Sequence, residues 1–142
     1  MYHKVTVVGH VGRDPEMRYT PDGTAVTSFS VATTRKWNTP SGTPGQETVW
    51  FRVSAWRKLA ETCNTYVKKG MLVLVEGTIK PDANTGGPRI FTRSDGTSGS
   101  SYELTAQVVR FLSGRGEAVP AEAPAGGAEP PLEEEDPGAI PF

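Results

Sequence analysis

The sequence predicts an all-β domain, a barrel of five strands with one short helix between the third and fourth, followed by a disordered acidic tail. Three observations lead there. Runs rich in Val, Thr and aromatic residues alternate with clusters of Gly, Pro, Asp and Ser, the punctuation of short strands and turns. A single stretch carries apolar residues at helical spacing. Charge also divides the chain: residues 1–112 hold 14 of the 15 Lys and Arg and 9 of the 16 acids, a balance of +5, whereas residues 113–142 hold one Arg and 7 acids, a balance of −6. The net charge of −1 hides this split. About 112 residues suit one small domain, and the remaining 30 cannot supply a second core.

Residues 2–11 (YHKVTVVGHV) form the expected first strand. Residues 13–23 (RDPEMRYTPDG) hold two prolines and end in Pro-Asp-Gly, so they read as a connector closing in a turn. The second strand spans 24–34, the loop NTPSGTPG follows at 38–45, and the third strand covers 48–56. In residues 58–69, Leu59, Ala60, Cys63, Tyr66 and Val67 recur on one helical face and Gly70 supplies the stop. A fourth strand at 71–80, an irregular excursion at 81–88, the short run 89–93 and a last strand at 102–112 complete the domain. This order is that of an OB-fold, a partly open barrel that binds oligonucleotides or oligosaccharides, although other small barrels share it.

Strict alternation in residues 48–56 puts Val49, Phe51, Val53 and Ala55 on a core face and Trp50, Arg52, Ser54 and Trp56 on an accessible one. Two tryptophans flanking an arginine on an outer face suit single-stranded nucleic acid. Every base offers a π-face worth about 1–3 kcal/mol in stacking, while cations hold the phosphates. The same grammar recurs where Trp37 follows Arg35 and Lys36, and where Phe91 lies between Arg89 and Arg93. Taken singly, each aromatic could equally pack on its own barrel.

Catalysis has little support. His3 and His10 fall on opposite faces of the first strand, and neither has a Cys or a second His at zinc-ligand spacing. The segment Thr85-Gly86-Gly87-Pro88 lacks the lysine of a phosphate loop. No metal, cofactor or enzymatic activity is expected. No stretch is long and apolar enough to span a bilayer, the N-terminal residues do not resemble a signal peptide, and Cys63 has no partner for a disulfide, so a cytoplasmic protein with no membrane contact is expected. Two other readings share the composition: an RNA-binding OB protein, distinguished by preference for ribose, and an OB-fold nuclease, which would need clustered carboxylates.

Four segments resemble the bacterial single-stranded DNA-binding protein family, in the family's order. They are VTVVGHVGRDPEMRYTPDGTAVTSFSVAT at 5–33, ETVWFRVSAWRKLAE at 47–61, KKGMLVLVEGTIK at 68–80, and the terminal IPF behind acids. The resemblance implies a homotetramer of OB domains that binds single-stranded DNA without strong sequence preference. It carries the stacking role onto Trp37, Trp50 and Trp56, and onto Phe91 through RIFTRSDG at 89–96, with Arg35, Lys36, Arg52, Arg89 and Arg93 along the phosphates. It also implies that Asp136, Ile140, Pro141 and Phe142 form a tip for replication, recombination and repair enzymes. Phe142 would enter an apolar pocket, its carboxylate would meet a basic residue, and the upstream acids would attract at longer range. Here Pro137-Gly138-Ala139 separates the acids from the tip, a departure from the family's pattern.

Overall fold

A computed structural model describes residues 1–113. The tail and its tip residues Asp136, Ile140, Pro141 and Phe142 lie outside the described residues. The chain runs β1 (Val5–Val11), β2 (Glu16–Tyr19), β3 (Ala25–Asn38), β4 (Pro44–Trp56), α1 (Lys58–Tyr66), β5 (Leu72–Lys80), β6 (Arg89–Thr92) and β7 (Ser98–Phe111).

The strands are hydrogen-bonded in the order β1-β5-β7-β4-β3-β2, and β1 also pairs with β3 through His10↔Ala32 and Val11↔Val31. That second pairing closes β1, β3, β4, β5 and β7 into the expected five-stranded OB barrel. All pairings are antiparallel except β4 with β7, where Phe51 to Ser54 face Tyr102 to Thr105 in parallel. Closure brings backbones too close for a side chain at two glycines. A Cβ on Gly9 would lie 2.2 Å from the Ala32 carbonyl oxygen, and one on Gly77, beside the bulge in β5, would lie 2.0 Å from that of Thr105.

Inside the barrel, Val7, Val11, Phe29, Val31, Val53, Ala55, Val73, Val75, Leu104 and Ala106 form one core. The helix closes an end of it with Cys63, just ahead of Val67. Buried Thr27 donates its hydroxyl to the Ala60 carbonyl at 2.7 Å and ties α1 to β3.

Several boundaries differ from the sequence reading. The connector contains β2, whose Glu16 to Tyr19 pair with Ser28 to Ala25. It is a short edge strand paired across the Pro21-Asp22-Gly23 turn, in which Met17 and Tyr19 alternate with Glu16 and Arg18 but none of the four is buried. The expected loop at 38–45 contracts, because β3 and β4 stay paired out to Asn38↔Pro44. The helix ends at Tyr66, with Val67 already extended, and β7 starts at Ser98 because it pairs with β6. His3 precedes β1, and its Nε2 accepts the Ile79 amide at 3.1 Å.

Three hairpin turns share one construction: Thr20-Pro-Asp-Gly-Thr24, Thr39-Pro-Ser-Gly-Thr43 and Arg93-Ser-Asp-Gly-Thr97. In each, the first residue's amide donates to the last Thr carbonyl and the glycine amide returns to the first residue's carbonyl, with the glycine at φ 79–85. Hydroxyl hydrogen bonds from Thr20 and Thr97 hold the Asp22 and Asp95 carboxyls below their usual range.

Substituting Gly77→Ala should destabilise the barrel by about 1–3 kcal/mol, since the backbone must move to admit the methyl; urea unfolding reads the loss. Burial pushes the Cys63 thiol from its ordinary 9.0 up to about 11. Its stabilising contribution is therefore present below pH 9.0 and fades as pH rises towards the folded value. Thiol titration at pH 8 should find Cys63 unreactive in the native protein and reactive in denaturant.

Candidate nucleic-acid interface

Register sorts the β-strand side chains into two faces. Val53 and Ala55 of β4 are fully buried inside, with Phe51 packed against the same core and Val49 half-buried towards the hairpin tip. The alternate set, Trp50, Arg52, Ser54 and Trp56, faces outward, opposite Ala32, Ser30, Ser28 and Val26 of β3. The outer face continues onto β7 through Arg52↔Glu103, onto β5 through Glu103↔Lys80, and onto β6 through Arg89↔Ser101 and Phe91↔Gly99. The structure thus gathers Trp50, Arg52, Trp56, Arg89, Phe91 and Arg93 on one side of the sheet. Lys36 follows the parity of Trp50 and is exposed.

Trp37 and Arg35 stand apart. They pair with Gly45 and Glu47 and share the inner parity of Val31 and Phe29, but on the part of the hairpin that extends past the barrel. The inward direction there leads to solvent, and Trp37 is 41 % exposed. Alternation from Trp50 does not predict this, because only the length of the paired hairpin shows that Trp37 has left the core.

Three of the four aromatics rest on glycine. A Cβ on Gly45 would lie 2.4 Å from the Trp37 ring, one on Gly99 2.6 Å from the Phe91 ring, and one on Gly12 2.6 Å from the Trp50 ring. Large rings seated on bare backbone keep a defined orientation while staying only partly buried. Two of them also carry a guanidinium, with Arg35 5.2 Å from the Trp37 centroid and Arg93 5.7 Å from that of Phe91. Trp50 and Trp56 are half-buried. The Trp50 Nε1 hydrogen is buried with no hydrogen-bond partner among the described residues.

One contributor was missed from sequence. Glu103 is 8 % exposed, sits between Arg52 and Lys80 in register, and accepts from Arg89 Nη1 at 3.2 Å. An acid within a patch of cations limits their mutual repulsion and fixes Arg89. Alternation from core Leu104 was the available signal, since it turns Glu103 outward. Arg35 also has an acid, Glu47 at 2.9 Å, but that pair is exposed. Among the described residues no group of His, Cys, Asp and Glu could hold a metal ion, and no helix is long and apolar enough to cross a membrane.

A five-stranded OB barrel whose outer face combines aromatic rings with cations defines the class of an oligonucleotide-binding domain. The model of the Single-strand binding protein family matches residues 2–112, and the chain belongs to that family. It is 41 % identical over 115 residues to the single-stranded DNA-binding protein of Neisseria meningitidis, covering 81 % of this chain and 62 % of that one. The chain therefore spans under two thirds of that relative's length. The protein of that name from Wolinella succinogenes is 33 % identical over 116 residues, covering 82 % of this chain and 67 % of its own. Among solved structures, the small single-stranded DNA-binding protein of Streptomyces coelicolor superposes with a TM-score of 0.62 at 26 % identity, covering 77 % of this chain and 93 % of that chain.

Replacing Glu103 by Gln should cost about 1–3 kcal/mol of stability, because the part-buried Arg89 guanidinium loses a charged acceptor on a nearly buried side chain. Glu47→Gln should change stability by no more than about 0.5–1 kcal/mol, as expected of an exposed pair. Parallel urea titrations compare the two.

Proposed function

We propose that this protein binds single-stranded DNA without strong sequence preference, and that it acts as a binding protein rather than an enzyme. The observation that carries the reading is the shared outer face of Trp50, Arg52 and Trp56 with Arg89, Phe91 and Arg93. Bases stack on Trp50, Trp56 and Phe91, and on Trp37 at the projecting hairpin. Arg35, Lys36, Arg52, Arg89 and Arg93 follow the phosphates. Glycine seating supports stacking, because a ring held in one orientation loses little entropy when a base covers it.

Family membership supports the wider role: coating single strands in the cytoplasm during replication, recombination and repair, as a homotetramer of the domain at 1–112. The segment 113–142 recruits partner enzymes, with Ile140, Pro141 and Phe142 as the apolar contact and Asp136 and its acidic neighbours as longer-range attraction. Its −6 charge suits a basic partner surface.

Titration with oligo-deoxythymidine and oligo-uridine, followed by tryptophan fluorescence at two salt concentrations, tests the binding reading. Quenching should be stronger with the deoxy strand and should weaken with salt; equal or stronger quenching by the ribo strand would favour RNA instead. Trp50→Ala and Trp56→Ala should each weaken binding by about 1–3 kcal/mol in a folded protein, and unchanged affinity would remove their stacking role. Deleting Phe142 should spare DNA affinity and abolish partner recruitment. Recovery of the same partner enzymes with and without it would refute the tip.

A further inference from the structure

Between the end of β4 at Trp56 and the start of α1 at Lys58, Arg57 has φ 57 and ψ −127. Among the described residues it alone, apart from glycines, has positive φ. The left-handed basin that Asn and Asp visit lies near ψ +47. Arg57 instead has the dihedral angles of the first central position of a type II′ turn, a conformation suited to glycine. A side chain there costs stability.

Nothing the Arg57 backbone does calls for a side chain. Its amide donates to the Ala25 carbonyl at 2.8 Å, and its carbonyl accepts the Glu61 amide at 3.3 Å. Glycine has both groups and reaches this conformation without strain. Nor does the side chain serve the fold, since Arg57 is exposed and its guanidinium makes no hydrogen bond or ion pair among the described residues. Its neighbourhood explains it better. Trp56 ends the outer face in the row Arg18–Val26–Trp56 across β2, β3 and β4, and Arg57 is the next residue along the chain.

We propose that Arg57 is a phosphate-binding residue beside Trp56, held there at the expense of the fold. The inference rests on the single-strand reading above and extends it to a residue outside the aromatic face. A base stacked on Trp56 carries a phosphate on each side. The guanidinium adjoining that ring offers a planar fork of donors that matches phosphate oxygens. The strained turn redirects the chain directly after Trp56, so the side chain stands at the rim of the face instead of continuing the β4 alternation. The DNA path therefore runs past Trp56 and leaves the barrel over the β4–α1 junction.

The test compares the full chain with Arg57→Gly, Arg57→Lys and Trp56→Ala in thermal melts and in oligo-deoxythymidine binding across a salt series. Arg57→Gly should raise the melting midpoint by a few degrees and weaken binding about three-fold, with the slope of log affinity against log salt shallower by about 0.7 for each phosphate no longer neutralised. Arg57→Lys keeps the charge and the strain, so its slope and midpoint should match the original. Stability and affinity moving in opposite directions is a signature that a merely structural residue does not produce. If Arg57→Gly binds with unchanged affinity and slope while Trp56→Ala binds weakly, the Arg57 inference falls and the single-strand reading stands. A midpoint that falls together with affinity makes Arg57 structural and also overturns the inference. If the original chain does not bind the oligonucleotide, the single-strand reading fails, and the inference with it.

Discussion

Closure of the barrel is the constraint on which the rest depends. Strand β1 is hydrogen-bonded to β5 along Val5 to His10 and to β3 at His10 and Val11, so the sheet curls onto itself and acquires an inside and an outside. Only then does alternation along β4 send Val53 and Ala55 into a water-free core and Trp50, Arg52 and Trp56 to a surface. The close approach at Gly9 and Gly77 is the local cost of that curvature. In an open sheet the two faces of β4 would differ much less in burial, and its aromatic pattern would carry little meaning.

On the outer face, apolar rings and charges meet without collapsing onto each other. Glycine beneath Trp37, Trp50 and Phe91 lets each ring settle against backbone, which hides part of its apolar area and leaves the rest accessible. The cations are partly compensated within the protein, Arg89 by Glu103 and Arg35 by Glu47. Compensation orders the guanidinium groups but also lowers the field that a phosphate chain meets. Uncompensated cations at the rim, such as Lys36 on the hairpin and Arg57 after Trp56, therefore bear more weight in any salt-dependent association.

Much of this was legible from local chemistry. The Pro-Asp-Gly turn, the alternation in β4 and the helical spacing through Cys63 each report a short-range rule; the turn and the strand formed as read, while the helix stopped at Tyr66, short of Gly70. The β6–β7 turn, Ser94-Asp95-Gly96, repeats that construction, so residues 89–93 could have been read as half of a hairpin. Strand β2 was less legible, because its alternation of Met17 and Tyr19 with Glu16 and Arg18 covers only four residues directly after Pro15, none of them buried. The length of the β3–β4 hairpin was hidden for a related reason. Beyond the barrel its pairs, such as Arg35↔Glu47 and Lys36↔Gln46, are polar and look like loop.

By itself the sequence determined the strands of the barrel, the turns that join them, the single helix and the aromatic and cationic residue types, because these follow from propensities acting over a few residues. Alternation gave the face shared within β4, and tertiary structure decided which other strands join it. The parallel pairing of β4 with β7 joins residues far apart in the chain, and it brings Glu103 against Arg52 and carries the outer face on to Phe91. The side on which Trp37 emerges depends on where the barrel ends, and the strain at Arg57 on the angle at which α1 must turn to cap the core. Such features arise from closing a chain in space, and no local pattern encodes them.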